Sequence, residues 1–319
     1  MPPVGVLVVD KPSGTTSRKA AAAVGRLAGA EKSGHAGTLD PLATGVLVVC
    51  LGRATLLTRF LAGGTKEYQV TALLGVETDT CDTDGRVIST CDACYVDRED
   101  VAGSAGRFTG EIEQLAPRFS AVKHNGKPLY QYARAGLEVE WKPRRAFVES
   151  IDVTSFESGP GGVRAGLRVL CGPGTYVRSL VSDIGTSLGC GASVAELRRL
   201  RSGTFGIEGS IELERLFSGD AQVSDVIMTM EEATSWLPSV EVSSEGGLAV
   251  SQGKPLRREW LAGNPPQDAA GETYRVLDGL GSLLALYGPR RAEDGEDIHG
   301  RAIRVLRPST LGLDKNEAA

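Results

Sequence analysis

A short segment punctuated by glycine and proline, residues 34–47, constrains the fold of this chain more than any other. It places His35 and Asp40 five residues apart and runs directly into the apolar run Val46–Leu51. Glycine permits backbone conformations that other residues resist, and Pro41 fixes its own φ and disfavours helix at Asp40. We therefore expect a constrained loop that holds a carboxylate beside a buried strand, as a catalytic group requires. The alternative is a turn in which Asp40 only caps a neighbouring backbone amide.

The N-terminal part of the chain predicts alternating strands and helices. The apolar run Val4–Val9 predicts a strand, and an alanine-rich stretch that ends near Ala28 predicts a helix, capped by Thr15, Thr16 or Ser17. Polar and apolar residues alternate over Lys66–Gly75, which is typical of a half-buried strand. The acidic loop that follows, residues 77–85, lacks the ligand spacing and the closing Glu of a calcium loop.

Further along the chain, Asn125-Gly126 is a signal for a tight hairpin turn. Arg145–Phe156 and Val163–Cys171 predict two paired strands. A helix is expected to open after Gly174 and to reach Leu188, with Thr175 as its cap. After residue 238 short apolar runs alternate with Gly/Pro/Asp-rich turns, which predicts a small β-rich domain with a boundary near 238–240.

Composition favours a globular protein of the cytoplasm. The chain has 319 residues, of which 41% are hydrophobic, and no apolar run reaches the roughly 18 residues that a membrane span needs. We expect a cytoplasmic protein with no membrane association. Six cysteines suggest no disulfide framework in a chain of this length. Cys91 and Cys94 lack a second Cys/His pair at matching spacing, so we expect no metal site.

The charge of the chain is unevenly distributed. Residues 115–205 hold 13 Lys/Arg against 7 Asp/Glu, a local charge of +6, which leaves −11 for the rest of a chain whose net charge is −5. One interpretation is an ordinary solvated surface. The other is a face that follows the phosphates of a nucleic acid, with basic groups at Lys123, Lys127, Lys142, Arg144, Arg145, Arg198, Arg199 and Arg201.

Four separated segments together resemble one known family. The chain is similar to the bacterial TruB-type tRNA pseudouridine synthases, which isomerise the uridine at position 55 in the TΨC loop, over about residues 4–238. The segments that carry the resemblance are Gly5–Ser17, His35–Leu47, Lys66–Gly85, and Gly174–Gly185 with Leu197-Arg198-Arg199. The family often has histidine where this chain has Arg18 and Ser193, and both departures could alter RNA contacts.

The resemblance implies an α+β fold of the pseudouridine-synthase type, with a mixed, largely antiparallel central sheet flanked by helices. Residues 1–238 would form the catalytic domain, and residues 239–319 a small β-rich, PUA-like RNA-binding domain that matches only weakly. The resemblance also implies a reaction without cofactor or metal and the TΨC stem-loop of tRNA as partner. We expect the protein to act as a monomer.

Residue by residue, the resemblance assigns roles to six positions. Asp40 falls on the catalytic aspartate, Arg178 on the arginine that pairs with it, and His35 on the histidine that helps to draw the target base out of its loop. Tyr68 falls on the tyrosine that packs against the flipped base, where its hydroxyl is a candidate to take the proton from C5. Tyr176 and Leu197 fall on residues that line the uridine pocket.

These residue types suit the chemistry of uridine isomerisation. The base must leave its stack, at a cost of a few kcal/mol that a fitted aromatic pocket recovers. Burial would raise the pKa of an aspartate, and a guanidinium offsets that effect. Asp40 would act as a nucleophile at the sugar or base, or as a base on the sugar. Two other hypotheses remain: an RNA-binding chaperone that refolds tRNA with little or no catalysis, and a hydrolase that uses Asp40 with His35.

Overall fold

The structure is a computed structural model that describes residues 2–159, 162–263, 273–291, 293–295 and 297–307. Its strands are β1 (Gly5–Lys11), β2 (Ser33–Ala36), β3 (Thr44–Leu51), β4 (Lys66–Leu74), β5 (Val76–Thr78), β6 (Val87–Thr90), β7 (Gly110–Gln114), β8 (Lys123–His124), β9 (Lys127–Pro128), β10 (Arg144–Gly159), β11 (Gly162–Cys171), β12 (Ala192–Ser202), β13 (Phe205–Gly206), β14 (Ile211–Glu212), β15 (Ser239–Glu241), β16 (Leu256–Arg257), β17 (Tyr274–Leu277), β18 (Leu283–Pro289) and β19 (Ile298–Val305). Its α-helices are α1 (Ser17–Leu27), α2 (Thr58–Leu61), α3 (Arg98–Gly106), α4 (Leu129–Arg134), α5 (Val177–Leu188), α6 (Leu213–Ser218), α7 (Val223–Val226), α8 (Met230–Ala233) and α9 (Ser244–Ser251).

A ten-stranded mixed sheet forms the centre of the molecule. Its main order is β14-β1-β3-β12-β4-β11-β10-β7, with β2 paired to β3 and β13 paired to β12. Only the β1–β14 and β3–β12 pairs are parallel, so the sheet is largely antiparallel, as expected. The predicted pairing of β10 with β11 is confirmed by a ladder from Val148↔Cys171 to Gly159↔Gly162. Residues 160 and 161 lie outside the described residues.

The helices α1, α3 and α5 pack on one face of this sheet, where the strands bury alternate side chains, and α2 and α8 pack on the other. In β4, Tyr68, Val70 and Ala72 are buried, whereas Gln69 is exposed and Thr71 is half-buried, which confirms the predicted half-buried strand. The buried set belongs to one hydrophobic core with side chains of α1, α3 and α5. Thr16 caps α1 by accepting a hydrogen bond from Lys19 N at 3.2 Å, as predicted for one of three candidate caps.

One predicted helix cap is wrong. The N-cap of α5 is Tyr176 rather than Thr175, and no side chain caps the helix there. The hydroxyl of Thr175 donates instead to the carbonyl of Gly172 at 3.0 Å, within the preceding turn. Gln114 on β7 takes over the polar contact, because its Oε1 accepts from Tyr176 N at 3.0 Å and its Nε2 donates to Tyr176 O at 3.2 Å. The first turn of α5 is therefore anchored to the edge of the sheet.

The predicted hairpin and the C-terminal β-rich region are both present. Asn125 and Gly126 have φ of 48° and 82°, as the tight turn between β8 and β9 requires. After residue 238, five strands form a second sheet of order β15-β17-β18-β19-β16, consistent with the PUA-like form. Its strands share a core that includes Tyr274 and Tyr287. Among the described residues, no helix is long and apolar enough to cross a membrane.

Candidate active site

The loop that carries Asp40 links β2 to β3 and is fixed from two sides. Ser17, at the start of α1, donates through Oγ to Leu39 O at 2.9 Å and accepts from Leu39 N at 2.8 Å. The ammonium of the fully buried Lys11 donates to Pro41 O at 3.3 Å, and Gly14 N donates to the same oxygen at 2.9 Å. Backbone groups on both sides of Asp40 are thereby bonded, so the loop is held rigid as predicted.

Arg199 holds the other side of the same loop. Its Nε donates to Val46 O at 2.8 Å, Nη1 to Thr38 O at 3.3 Å and Nη2 to Gly37 O at 3.1 Å. The side chain is 1% exposed, so the prediction that Arg199 contacts phosphates is wrong. Close packing also explains the glycine at position 45, where a Cβ would lie 2.2 Å from Arg199 O.

The other two arginines of that segment are engaged in ion pairs. Arg198 binds both carboxylate oxygens of Asp10, and Arg201 shares the carboxylate of Glu67 with Arg168. Both arginines remain partly exposed, at 39% and 55% of the side chain. The other basic residues of the predicted RNA-binding face lie earlier in the chain and are exposed. None of them has a carboxylate partner among the described residues: Lys123, Lys127, Lys142, Arg144 and Arg145.

The structure brings Arg178 to Asp40. Arg178 Nε donates to Asp40 Oδ2 at 2.8 Å, and the arginine side chain is 4% exposed while the aspartate is 32% exposed. The remaining nitrogens of the guanidinium are also bonded, Nη1 to Thr80 O at 2.8 Å and Nη2 to Phe119 O at 3.1 Å. The guanidinium is therefore fixed in orientation, and it leaves one oxygen of Asp40 free for chemistry.

Asp82 is a site residue that the sequence reasoning missed. Its Oδ2 accepts from Arg178 Nη1 at 3.2 Å, so one buried guanidinium lies between two carboxylates. Burial raises the pKa of Asp82, although a hydrogen bond from Thr80 and the charge of Arg178 oppose that shift. The only signal in the sequence is the acidic loop at residues 77–85, which we considered for calcium and set aside. A buried carboxylate there supports Arg178 instead.

A cavity of about 380 Å³ opens beside Asp40 and contains most of the predicted residues. Asp40, Tyr68, Tyr176, Arg178 and Leu197 all line it, together with residues 120–121 and 172–175. A larger groove of about 660 Å³, between α1 and α6, contains none of them. The size and the mixture of aromatic, aliphatic and charged walls suit a planar polar base attached to a sugar.

The two tyrosines of the cavity are held in place differently. Tyr68 projects from the middle of β4 and is 8% exposed, and burial raises the pKa of its hydroxyl while the nearby Arg199 lowers it in part. Tyr176 is half-buried between the sheet edge and α5, and burial raises the pKa of its hydroxyl as well. Both hydroxyls are therefore protonated at neutral pH.

His35 lies outside this cavity. It belongs to the strand β2, opposite Val49, and is half-buried, so the constrained loop expected over residues 34–47 does not include it. Its Nδ1 is buried with no hydrogen-bond partner among the described residues. Burial, together with the charge of Arg199, lowers the pKa of His35, which keeps the ring neutral at neutral pH.

The two departures from the family pattern lie in different environments. Ser193 is fully buried in β12, so the prediction that this departure alters RNA contacts is wrong for this residue. Arg18 is exposed on α1. Within the described part of the chain, no three His, Cys, Asp or Glu residues are grouped so that they could hold a metal ion. Cys91 and Cys94 are free and exposed.

Comparison with known proteins identifies the family. The model of the TruB family pseudouridylate synthase N-terminal domain matches residues 25–177, and that of the tRNA pseudouridylate synthase B C-terminal domain matches residues 178–235. The chain belongs to the TruB family of pseudouridylate synthases. The second matched region contains β12 and all of α5 except its first residue, and these two elements supply Leu197 and Arg178 to the site.

Similar proteins cover nearly the whole chain. A tRNA pseudouridine synthase B of Syntrophotalea carbinolica is 38% identical over 91% of this chain and 94% of its own length, and one of Saccharophagus degradans is 41% identical over 88% and 90%. Among solved structures, an H/ACA ribonucleoprotein bound to a substrate RNA containing 2′-deoxyuridine has a TM-score of 0.69 at 27% identity, covering 96% of this chain and 86% of that one. A Cbf5-Nop10-Gar1 complex has a TM-score of 0.72 at 29% identity, covering 96% and 85%.

Proposed function

We propose that this protein is a tRNA pseudouridine synthase that isomerises uridine 55 in the TΨC loop. One observation carries the proposal: a buried guanidinium fixes the carboxylate of Asp40 at the edge of a cavity walled by Tyr68, Tyr176 and Leu197. Membership of the TruB family and similarity to relatives named tRNA pseudouridine synthase B support it. The chaperone hypothesis is not favoured, since it gives no role to the Asp40–Arg178 pair.

The reaction begins when the target uridine leaves its stack and enters the cavity. Tyr68 offers a flat surface on which the base stacks, while Tyr176 and Leu197 close the pocket around it. This burial recovers the few kcal/mol that unstacking costs. His35 lies outside the cavity in a neighbouring strand, so its proposed role is to act on the RNA loop from which the base departs.

Asp40 then acts on the nucleotide as a carboxylate. The guanidinium of Arg178 holds one of its oxygens and so orients the other. Asp40 serves as a nucleophile at the sugar or base, or removes a proton from the sugar, while the C1′–N1 bond breaks. After the uracil turns and C5 bonds to C1′, the proton on C5 must leave. Tyr68 is the proposed acceptor. Burial raises the pKa of its hydroxyl and Arg199 opposes that shift only in part, so the phenol must pass its own proton on as it takes the one from C5.

Binding of tRNA would use basic groups outside the cavity. Lys123, Lys127, Lys142, Arg144 and Arg145 are exposed on one stretch of chain that includes Ser120 and Ala121 at the cavity edge. Such groups bind phosphates and set the register of the RNA. We propose that residues 1–238 form the catalytic domain and residues 239–319 a PUA-like domain that binds RNA, and that the protein acts as a monomer in the cytoplasm.

Mapping of pseudouridine in tRNA tests this function. Bulk tRNA transcribed without modification is incubated with the protein, and its pseudouridines are located by chemical mapping. We expect a single position, 55, to be converted, with no release of free uracil and no incorporation of solvent oxygen. Conversion at another position would overturn the assigned substrate, and free uracil would indicate the hydrolase. Faster tRNA refolding without any pseudouridine would indicate the chaperone.

A further inference from the structure

Two buried cations line the active-site cavity beside Tyr68, and the inference drawn from them rests on the function proposed above. Lys66 lies two residues before Tyr68 on β4, so both side chains lie on one face of the strand, and Arg199 lies opposite Tyr68 on β12. The two residues are 5% and 1% exposed. Both approach Gly37, where a Cβ would lie 3.5 Å from Arg199 Nη1 and 3.9 Å from Lys66 Cε.

Neither cation has a carboxylate partner among the described residues. The ammonium of Lys66 donates to the backbone carbonyls of Ala62 and Gly64, and Arg199 donates to backbone carbonyls of the Asp40 loop and β3. The nearest catalytic carboxylate, Asp40, is already paired with Arg178. Lys66 and Arg199 therefore give this wall of the cavity an unbalanced positive charge.

Burial of these two cations without a carboxylate partner lowers the stability of the folded protein, and the packing of the fold does not explain why they are there. Burial and the charge of Arg199 lower the pKa of Lys66 to about 8. A buried cation without an anion destabilises a protein, and a neutral side chain in the same place would cost less. The carbonyl contacts of Arg199 hold the Asp40 loop, and those of Lys66 satisfy carbonyls at the end of α2 and in the turn after it, but none of these contacts neutralises a charge. An anion that forms during the reaction would balance the charge.

Breakage of the C1′–N1 bond supplies such an anion. The electron pair of the bond stays on N1 and spreads to O2 and O4 of the uracil. The electron deficiency at C1′ is removed either by a new bond to a carboxylate oxygen of Asp40 or by transfer of the C2′ proton to Asp40. In both cases one negative charge moves from Asp40 to the uracil. Before this step the negative charge lies on Asp40, where Arg178 balances it. After the step the charge lies on the uracil, so a second positive region is needed there.

We propose that Lys66 and Arg199 form a cationic wall that stabilises the negative charge of the uracil after its bond to the ribose breaks. The anion then attacks C1′ through C5 with the C5=C6 electron pair, which the pair on N1 replaces. At the same time the C1′–O bond to Asp40 breaks, or Asp40 returns the proton to C2′. In the final step the C5 proton leaves and N1 takes up a proton. The wall is present before the substrate arrives, so it requires no rearrangement when the charge develops. This role differs from stacking by Tyr68 and from the pairing of Arg178 with Asp40.

The test varies the leaving group as well as the protein. Single-turnover rates are measured with a T-arm stem-loop RNA that carries uridine or 5-fluorouridine at the target position, by following loss of the original nucleoside after digestion. Fluorine withdraws electrons, so 5-fluorouracil is a more stable anion and depends less on the wall. Lys66→Met is expected to lower the single-turnover rate with the uridine RNA on the order of 10²-fold. The rate with the fluorinated RNA should fall distinctly less.

Further variants separate charge from structure. Lys66→Gln removes the charge but keeps donors for the carbonyls of Ala62 and Gly64, and is expected to behave as Lys66→Met. Arg199→Lys keeps a charge but loses the fork that holds the loop, and is expected to slow both RNAs by the same factor. Lys32→Met, at an exposed position, serves as the control. Affinity for the RNA and thermal unfolding are measured for every variant.

The outcomes separate this inference from the proposed function. If wild-type protein converts neither RNA, the proposed function fails. If wild-type protein is active but both neutral variants at Lys66 slow the two RNAs equally, or do not slow them, the cationic wall is overturned while the function stands. If the neutral variants at Lys66 lower the rate with the uridine RNA more than with the fluorinated RNA, and RNA affinity is unchanged, the result supports the cationic wall.

Discussion

The Nε of Arg178 lies 2.8 Å from Oδ2 of Asp40, although 138 positions separate the two residues in the sequence. The same guanidinium bonds Asp82 and the carbonyls of Thr80 and Phe119. A single buried side chain therefore joins the Asp40 loop, the acidic loop after β5 and the segment before β8. The geometry of the site depends on this junction.

Replacement of Arg178 by lysine should remove most activity although the charge remains. An ammonium is a compact point charge and cannot reach Asp40, Asp82 and two carbonyls at once. We expect the single-turnover rate to fall on the order of 10²-fold or more, with RNA affinity little changed. Arg168→Lys, which alters a partly exposed ion pair to Glu67, is the matched control. Near-normal turnover in Arg178→Lys would contradict the orienting role.

Asp82 should matter for turnover through Arg178. In Asp82→Asn an oxygen can still accept from Nη1, but the second negative charge beside the guanidinium is lost. We expect a rate reduced about 10-fold with unchanged RNA affinity, because a hydrogen bond to a charged group is worth roughly 1.5–3 kcal/mol and part of it is retained. Asp84→Asn, at an exposed position of the same loop, should have no effect. Equal effects of the two changes would mean that only the loop as a whole is sensitive.

Gly45 should tolerate no side chain. Its φ is +98°, and a Cβ would lie 2.2 Å from the carbonyl oxygen of Arg199. Gly45→Ala is expected to lower the free energy of unfolding by about 3 kcal/mol or more, since backbone strain and a clash between two strands combine. Gly219→Ala is the control, because Gly219 has a similar φ of +84° and nothing lies within 4 Å of its Cβ position. Denaturant unfolding of both variants measures the difference, and equal losses would rule out the clash.

Lys66 should make the free energy of unfolding vary with pH in the alkaline range. Its pKa is lowered to about 8 in the folded protein from 10.5, so the unfolded chain binds more protons between these values. The contribution of Lys66 to the free energy of unfolding therefore becomes more favourable as pH increases from 8 to about 10. The advantage of Lys66→Met over wild-type protein in free energy of unfolding should shrink across that range. Lys32→Met should show no such trend, and a constant difference at Lys66 would contradict the lowered pKa.

Local sequence signals predicted much of the fold. The alternation in β4, the cap at Thr16 and the turn at Asn125-Gly126 each depend on neighbouring residues, and each is present in the structure. The cap of α5 was predicted wrongly because its polar partner, Gln114, lies 62 positions away on another strand. Short-range patterns cannot reveal a partner that only the sheet brings close.

The site was predicted less completely than the fold. Asp40 was indicated by its constrained loop and by the family resemblance, and Tyr68 and Arg178 by the resemblance alone; the structure places all three at one cavity. Arg199 was interpreted as a phosphate contact because it lies in a stretch with a surplus of basic residues. It is buried because backbone carbonyls of the Asp40 loop supply its acceptors, which no periodicity shows. Asp82 was missed for a related reason, since its partner Arg178 is 96 positions away.

The most direct test of the central claim is the single-turnover rate of Asp40→Asn on unmodified tRNA, measured together with tRNA affinity and thermal unfolding. Asparagine has the shape of aspartate but no charge, so it can neither bond to the sugar as a carboxylate nor take a proton from it. We predict that Asp40→Asn no longer forms pseudouridine at position 55, while the variant still folds and keeps most of its affinity for tRNA. A variant that still forms pseudouridine at a rate near that of wild-type protein would contradict it.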